Sequence, residues 1–249
     1  MPDLLGTLTI DTADCPGAGP STTFDGGELP LIGHSMGATI APLTLYADRR
    51  FGAVVLSGAG GSWIHNIIHK LSPLEVRPMA EAVLGYDEGQ LVAEDPALAL
   101  LQWTGESADP PPYAAALAGS EGPQTLMLQG IVDTYILPPM ANATSLSLGL
   151  DLGGQALDRD HPELTSYRPA GEVLDLVGHG SVSLPAAGNV GGARTALVVQ
   201  HAEDGVQDGH EVMFQTGGAR HQLRCFLESW RGGTPTVPLA GEADSPCDP

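Results

Sequence analysis

The chain has 249 residues, 42% of them hydrophobic, enough to bury a sizeable core, and 30 acidic against 10 basic side chains give a formal net charge of −20. A field of that sign repels polyanions, so nucleic acid and anionic lipid surfaces are disfavoured as partners. No stretch reaches the roughly 18 uncharged apolar residues that a membrane helix requires.

Residues 4–10 read as a strand, and residues 11–27 (DTADCPGAGPSTTFDGG) are turn-forming, have no helical period and read as loop. Leu29-Pro30-Leu31-Ile32 is an apolar strand that runs into Gly33-His34-Ser35-Met36-Gly37. A serine between two glycines at that place is the pattern of a nucleophile elbow. The strand must reverse sharply into a helix, which strains the serine backbone, and the flanking glycines avoid clashes in the turn. Residues 38–46 continue as a buried helix in which Pro42 is tolerable only in the first turn.

A second strand spans residues 51–58, and helical segments follow at 63–71, 80–86, 96–103 and 113–118, broken by the proline cluster at 109–112. Trp63, Ile67, Leu71, Trp103 and Tyr113 read either as the wall of an apolar pocket or as plain core. His65 and His69 stand at i, i+4, a spacing that can bind zinc, but Asn66 occupies the place where a zinc protease needs its glutamate, so a polar rim is the preferred reading. A third strand at 125–130 ends on a glycine, and Asp133 follows three residues later, with Ile136 and Leu137 just beyond it. Asn142-Ala143-Thr144 is a glycosylation sequon inside an expected helix.

Residues 149–192 read as an irregular excursion at the sheet's edge. Its Gly178-His179-Gly180-Ser181 lacks the second glycine of an elbow, and its acidic loop of Asp158, Asp160 and Glu163 lacks the spacing of a calcium-binding hand. A fourth strand at 195–201 leads into a polar loop that carries His210. Residues 219–230 form an amphipathic helix with Leu223, Phe226, Leu227 and Trp230 on one face, and the tail from 232 is expected to be mobile. Cys15, Cys225 and Cys247 allow one disulfide and one leftover thiol, and a disulfide would imply an oxidising compartment.

The GHSMG elbow, with an acid and then a histidine placed just past later strands, resembles the α/β-hydrolase superfamily. The resemblance implies an α/β fold, a mostly parallel sheet with flanking helices, whose core spans residues 1–61 and 121–249 and whose helical cap spans 62–120. It implies a serine hydrolase that cleaves carboxylic esters of small-molecule or lipid type through an acyl-enzyme, with no metal and no cofactor. Ser35 is then the nucleophile, His210 the base and Asp133 the acid that orients it, because a serine hydroxyl is a poor nucleophile until an imidazole accepts its proton. The Met36 backbone N–H would hold the oxyanion, and Trp63, Ile136 and Leu137 would line the substrate pocket. His201 competes with His210 for the base, while Asp204 and Asp208 read as polar surface.

One departure from that family is plain. Only 32 residues precede the elbow motif, where the family places several strands and the loop that supplies the second oxyanion donor. The N-terminal sheet is therefore reduced, or the chain starts late, in which case the missing basic leader at Met1 says little about export. The expectation is an open sheet edge beside the elbow strand and a weak oxyanion hole. The alternatives are a lipase or acyl-transfer variant, or a non-catalytic or fragmentary relative.

Overall fold

The computed structural model describes residue 4 and residues 6–27, 29–231 and 233–247. In chain order the strands are Thr9–Asp11 (β1), Ser21–Thr23 (β2), Leu29–His34 (β3), Phe51–Ser57 (β4), Gln124–Gly130 (β5), Asp151–Gly153 (β6), Ser181–Val182 (β7), Ala186–Ala187 (β8), Ala196–His201 (β9) and Thr236–Val237 (β10). The α-helices are Met36–Ala47 (α1), Trp63–His69 (α2), Arg77–Leu84 (α3), Pro96–Gly105 (α4), Pro110–Ala115 (α5), Pro138–Leu148 (α6), Ala170–Asp175 (α7), Val212–Gln215 (α8) and Gly217–Trp230 (α9).

Six strands pair in parallel in the order β3-β4-β5-β9-β6-β7, which makes this an α/β protein. The middle strands are continuous apolar runs because both faces of the sheet are covered. Val54, Leu56, Met127 and Val198 face one core, packed against α1, α5, α6 and α7. Their sequence neighbours Val55, Leu126, Leu128, Leu197 and Val199 face the other, under α9 and β10. The expected face of the terminal helix holds: Phe226 is buried there, with Leu223, Leu227 and Trp230 packed around it. Helix α9, which follows β9, therefore lies on the opposite face from α6 and α7, which follow the two strands flanking β9. Strand β3 stands at the sheet edge, with β4 as its partner among the described residues.

Several expectations need correction. The strand placed at 4–10 is Thr9–Asp11, which pairs antiparallel with Ser21–Thr23, so a hairpin stands where a loop was expected; Leu5 lies outside the described residues. All six hairpin strand residues are exposed, so no apolar alternation marks them. Pro42 sits in the interior of α1, beyond its first turn, and its ring is buried. Burial of the ring against the core offsets the backbone bond that proline cannot donate. The excursion at 149–192 adds two strands to the sheet, β6 beside β9 and β7 beside β6.

The tail is not loose. Val237 is buried in the α9 core, β10 pairs with β8, and Cys247 forms a disulfide with Cys225, leaving Cys15 free. Asn142 of the sequon is buried in α6, where its amide donates to the Arg168 carbonyl, so it is not presented for glycosylation. Between β4 and β5 the chain is helical, and α2, α3 and α4 share a small core of Ile67, Leu91 and Leu98.

Candidate active site

Strand β3 ends at His34 and α1 begins at Met36, so Ser35 alone makes the reversal, at φ 53° and ψ −123°. An L-residue adopts that conformation only where its surroundings over-determine it. Here the Ser35 N–H donates to the Ser57 carbonyl at 2.9 Å, which ties the elbow to β4. Gly33 is required by packing, since a Cβ there would lie 2.8 Å from the Ala38 backbone. Gly37 is not crowded: a Cβ there would meet nothing within 4 Å.

Asp133 and His210 reach the serine from the ends of β5 and β9. His210 Nε2 is 2.8 Å from Ser35 Oγ, and its Nδ1 is 2.9 Å from Asp133 Oδ2. The other oxygen of Asp133 accepts from the N–H groups of Tyr135 and Ile136, at 2.8 and 2.7 Å. This fixes the carboxylate with one face toward the ring. Asp133 and His210 are both buried.

The two loops that carry them touch backbone to backbone. A Cβ on Gly130 would lie 1.7 Å from the Gly209 carbonyl oxygen, and one on Gly209 would lie 2.3 Å from that of Ile131, so only glycines permit the approach. Asp208 then clamps the pair: Oδ1 accepts from the backbone N–H of Thr134 at 3.1 Å and of His210 at 2.9 Å, and Oδ2 accepts from the Thr134 hydroxyl at 2.6 Å. Sequence reasoning had set Asp208 aside as surface, because nothing local links it to a threonine 74 positions away. Asp204 is exposed and closes its own loop by accepting from Val206 and Gln207.

Three further neighbours of the imidazole went unrecognised in the sequence. The Tyr135 ring stacks on His210 with centroids 4.7 Å apart. Gly58, at φ +59°, leaves room on the ring's edge; a Cβ there would lie 2.7 Å from His210 Cε1. His34 lies 4.9 Å from His210 by ring centroids, and its Nε2 is 3.6 Å from Glu211 Oε2. Burial, and then the nearby His210, lower the His34 pKa, against the raising influence of Glu211 and Asp133, which favours the neutral form of His34 beside His210.

The remaining sequence candidates separate. Met36, Ile40, Trp63 and Ile136 line a cleft of about 270 Å³. The Met36 amide is at the first position of α1, where no carbonyl four residues earlier exists in the helix to accept its hydrogen. Leu137 is buried in the core under α6 rather than on this lining. His201 does not approach Ser35; its ring lines a different cavity, at the end of β9. His65 and His69 stand side by side, and among the described residues no group of three His, Cys, Asp or Glu side chains is placed to hold a metal. Asp158 is buried and accepts from the Ala170 N–H. No protein-family model, curated protein or solved structure matches the chain.

Proposed function

We propose that the protein is a serine hydrolase of α/β-hydrolase type that cleaves carboxylic esters. The single observation that supports this reading is the unbroken relay from Ser35 Oγ through His210 to Asp133, with contacts of 2.8 and 2.9 Å. The serine of that relay is held at φ 53° on a strand-to-helix turn, the strained backbone that a nucleophile elbow calls for.

In the proposed reaction Ser35 Oγ attacks the ester carbonyl carbon while His210 Nε2 takes its proton. The Asp133 carboxylate holds Nδ1–H and stabilises the imidazolium, and the Met36 N–H donates to the oxyanion. Collapse of the tetrahedral adduct breaks the bond to the alcohol oxygen, which leaves with the proton from His210. Water then attacks the acyl-enzyme by the same route in reverse. Trp63, Ile136 and Met36 give the acyl cleft an apolar lining, and the one charged residue in it, Asp109, is occupied by the Ser62 N–H and the Gln102 amide. A neutral, apolar acyl group suits that cleft.

The competing reading, a non-catalytic relative, draws on the position of β3 at the sheet edge, where among the described residues no strand pairs with it on the side away from β4. Hydrolysis of p-nitrophenyl esters by the wild type, Ser35→Ala and His210→Ala decides between them. The esterase reading expects wild-type turnover and a loss of several orders of magnitude in both variants. Wild-type rates indistinguishable from those of Ser35→Ala would leave the non-catalytic reading.

A further inference from the structure

A cavity of about 530 Å³, larger than the cleft of about 270 Å³ beside Ser35, lies past the carboxyl ends of β9 and β6. Two features of its position point to ligand binding. The chain leaves β9 toward one face of the sheet and leaves β6 toward the other, so a crevice opens between the two strand ends, the place where parallel sheets characteristically bind ligands. Glycines end β6, Gly153 within the strand and Gly154 just after it, and both line the cavity.

The lining is apolar through Leu157, Leu184, Val199 and Leu239, and in a chain of net charge −20 none of the described lining side chains is Asp, Glu, Lys or Arg. Two polar side chains converge on it. His201 is 6% exposed and Gln222 is 0% exposed, and His201 Nε2 and Gln222 Oε1 are buried with no hydrogen-bond partner. Each such orphan costs a desolvation penalty, and of the six buried side-chain atoms left without a partner among the described residues these two are the ones that lie side by side on this lining. Another amide on the lining, Gln200, is already engaged: its oxygen accepts from the Leu157 and Asp158 N–H groups, and its nitrogen donates to Gln129.

We infer that this cavity binds a small, uncharged, mainly apolar molecule through a hydroxyl group held between His201 and Gln222. The Gln222 amide is oriented by its nitrogen, which donates to the Pro238 carbonyl at 2.7 Å, so the free atom is an acceptor. Burial holds the His201 pKa at about 4, despite the raising influence of the neighbouring Gln222, so its ring is neutral and has one donor and one acceptor nitrogen. The two groups are neighbours, yet no bond of regular geometry joins them. An alcohol O–H donates to Gln222 Oε1 while its oxygen accepts from His201 Nε2–H. A ketone can do only the second, a hydrocarbon neither, and a carboxylate would set its own lone pairs against the Gln222 oxygen in an uncharged cavity.

The test is isothermal titration of the full chain with menthol, menthone and menthane, with Ser35→Ala, His201→Phe and Ala202→Trp as variants. Menthol should bind at least about tenfold more tightly than its ketone or hydrocarbon, and Ser35→Ala should bind it as the wild type does, which separates this cavity from the proposed ester site. His201→Phe should lose about tenfold in affinity without a fall in melting temperature, because the free protein has no hydrogen bond of regular geometry at His201 Nε2 to lose. Ala202 is exposed on the cavity's rim, so Ala202→Trp keeps the fold while blocking the opening, and it should abolish binding even if His201→Phe fails to fold. The inference is overturned by equal binding of alcohol and hydrocarbon, by menthol binding that survives Ala202→Trp, or by no binding of the alcohol to the wild type.

Discussion

Asp208 is two residues from His210, the proposed base, and the bonds it accepts tie together the loops that carry His210 and Asp133. Asp208→Ala removes acceptors for the Thr134 N–H, the Thr134 hydroxyl and the His210 N–H. At about 1 kcal/mol for each half-buried bond, the three together predict a loss of about 3 kcal/mol in unfolding free energy. The kinetic effect arises through position: the clamp sets the separation of the loops that carry Asp133 and His210, and a misplacement of about 1 Å at a reacting group costs on the order of a hundredfold. Ester hydrolysis should therefore show kcat about a hundredfold lower with KM little changed. Asp208→Asn is the control. Its single oxygen can still accept both N–H groups, so its kcat should return to within about tenfold of the wild type. Thr134→Val combined with Asp208→Ala should be less than additive, because both remove the same hydroxyl contact. An Asp208→Ala protein with kcat within twofold of the wild type would refute the clamp.

Gly58→Ala should lower kcat by about a hundredfold, because its Cβ would press on His210 Cε1 from 2.7 Å, and the left-handed backbone should cost about 1 kcal/mol of stability; an unchanged rate would show that the ring is not held against that glycine. Replacing Cys225 and Cys247 together by serine opens a loop of 22 residues and should cost about 3 kcal/mol by denaturant unfolding, whereas a loss near zero would show that β10 alone secures the tail. Stability should also fall with acid. His201 is buried neutral with a folded pKa of about 4, against 6.5 when unfolded, so the unfolded chain takes up its proton first as pH falls from 6.5 to 4, and about 3 kcal/mol of stability is lost across that window. His201→Phe should flatten this part of the pH profile, and an unchanged slope would place the acid sensitivity elsewhere.

The parts of the fold legible in the sequence are those in which local pattern and tertiary role coincide. Strands β4, β5 and β9 are uninterrupted apolar runs because both sheet faces are covered, and helix α9 shows its buried stripe at helical spacing. The elbow, Asp133 and His210 could be picked out because each follows such a run, and in the structure His210 lies within hydrogen-bond distance of both Ser35 and Asp133. What could not be read was short or non-local. Strands β6 and β7 have three and two residues, fewer than a period-2 pattern needs, and their pairing depends on β9 entering the sheet after them in sequence. The hairpin β1–β2 is exposed on both faces, so no alternation betrays it. Pro42 was misjudged because its tolerance depends on what its ring packs against. Asp208 looks like any loop aspartate until the fold sets Thr134 beside it, and Leu137 looks like its neighbour Ile136 although both pack in the core and only Ile136 also lines the cleft.

The most direct test of the central proposal is intact-mass analysis of the protein treated with a fluorophosphonate, which reacts with a serine only when its hydroxyl is activated. The esterase reading predicts a single phosphonyl adduct, formed with loss of fluoride, that maps to Ser35, is absent from Ser35→Ala, and forms far more slowly on His210→Ala. No adduct on the wild type, or an adduct that maps to another residue such as Ser181, would contradict it.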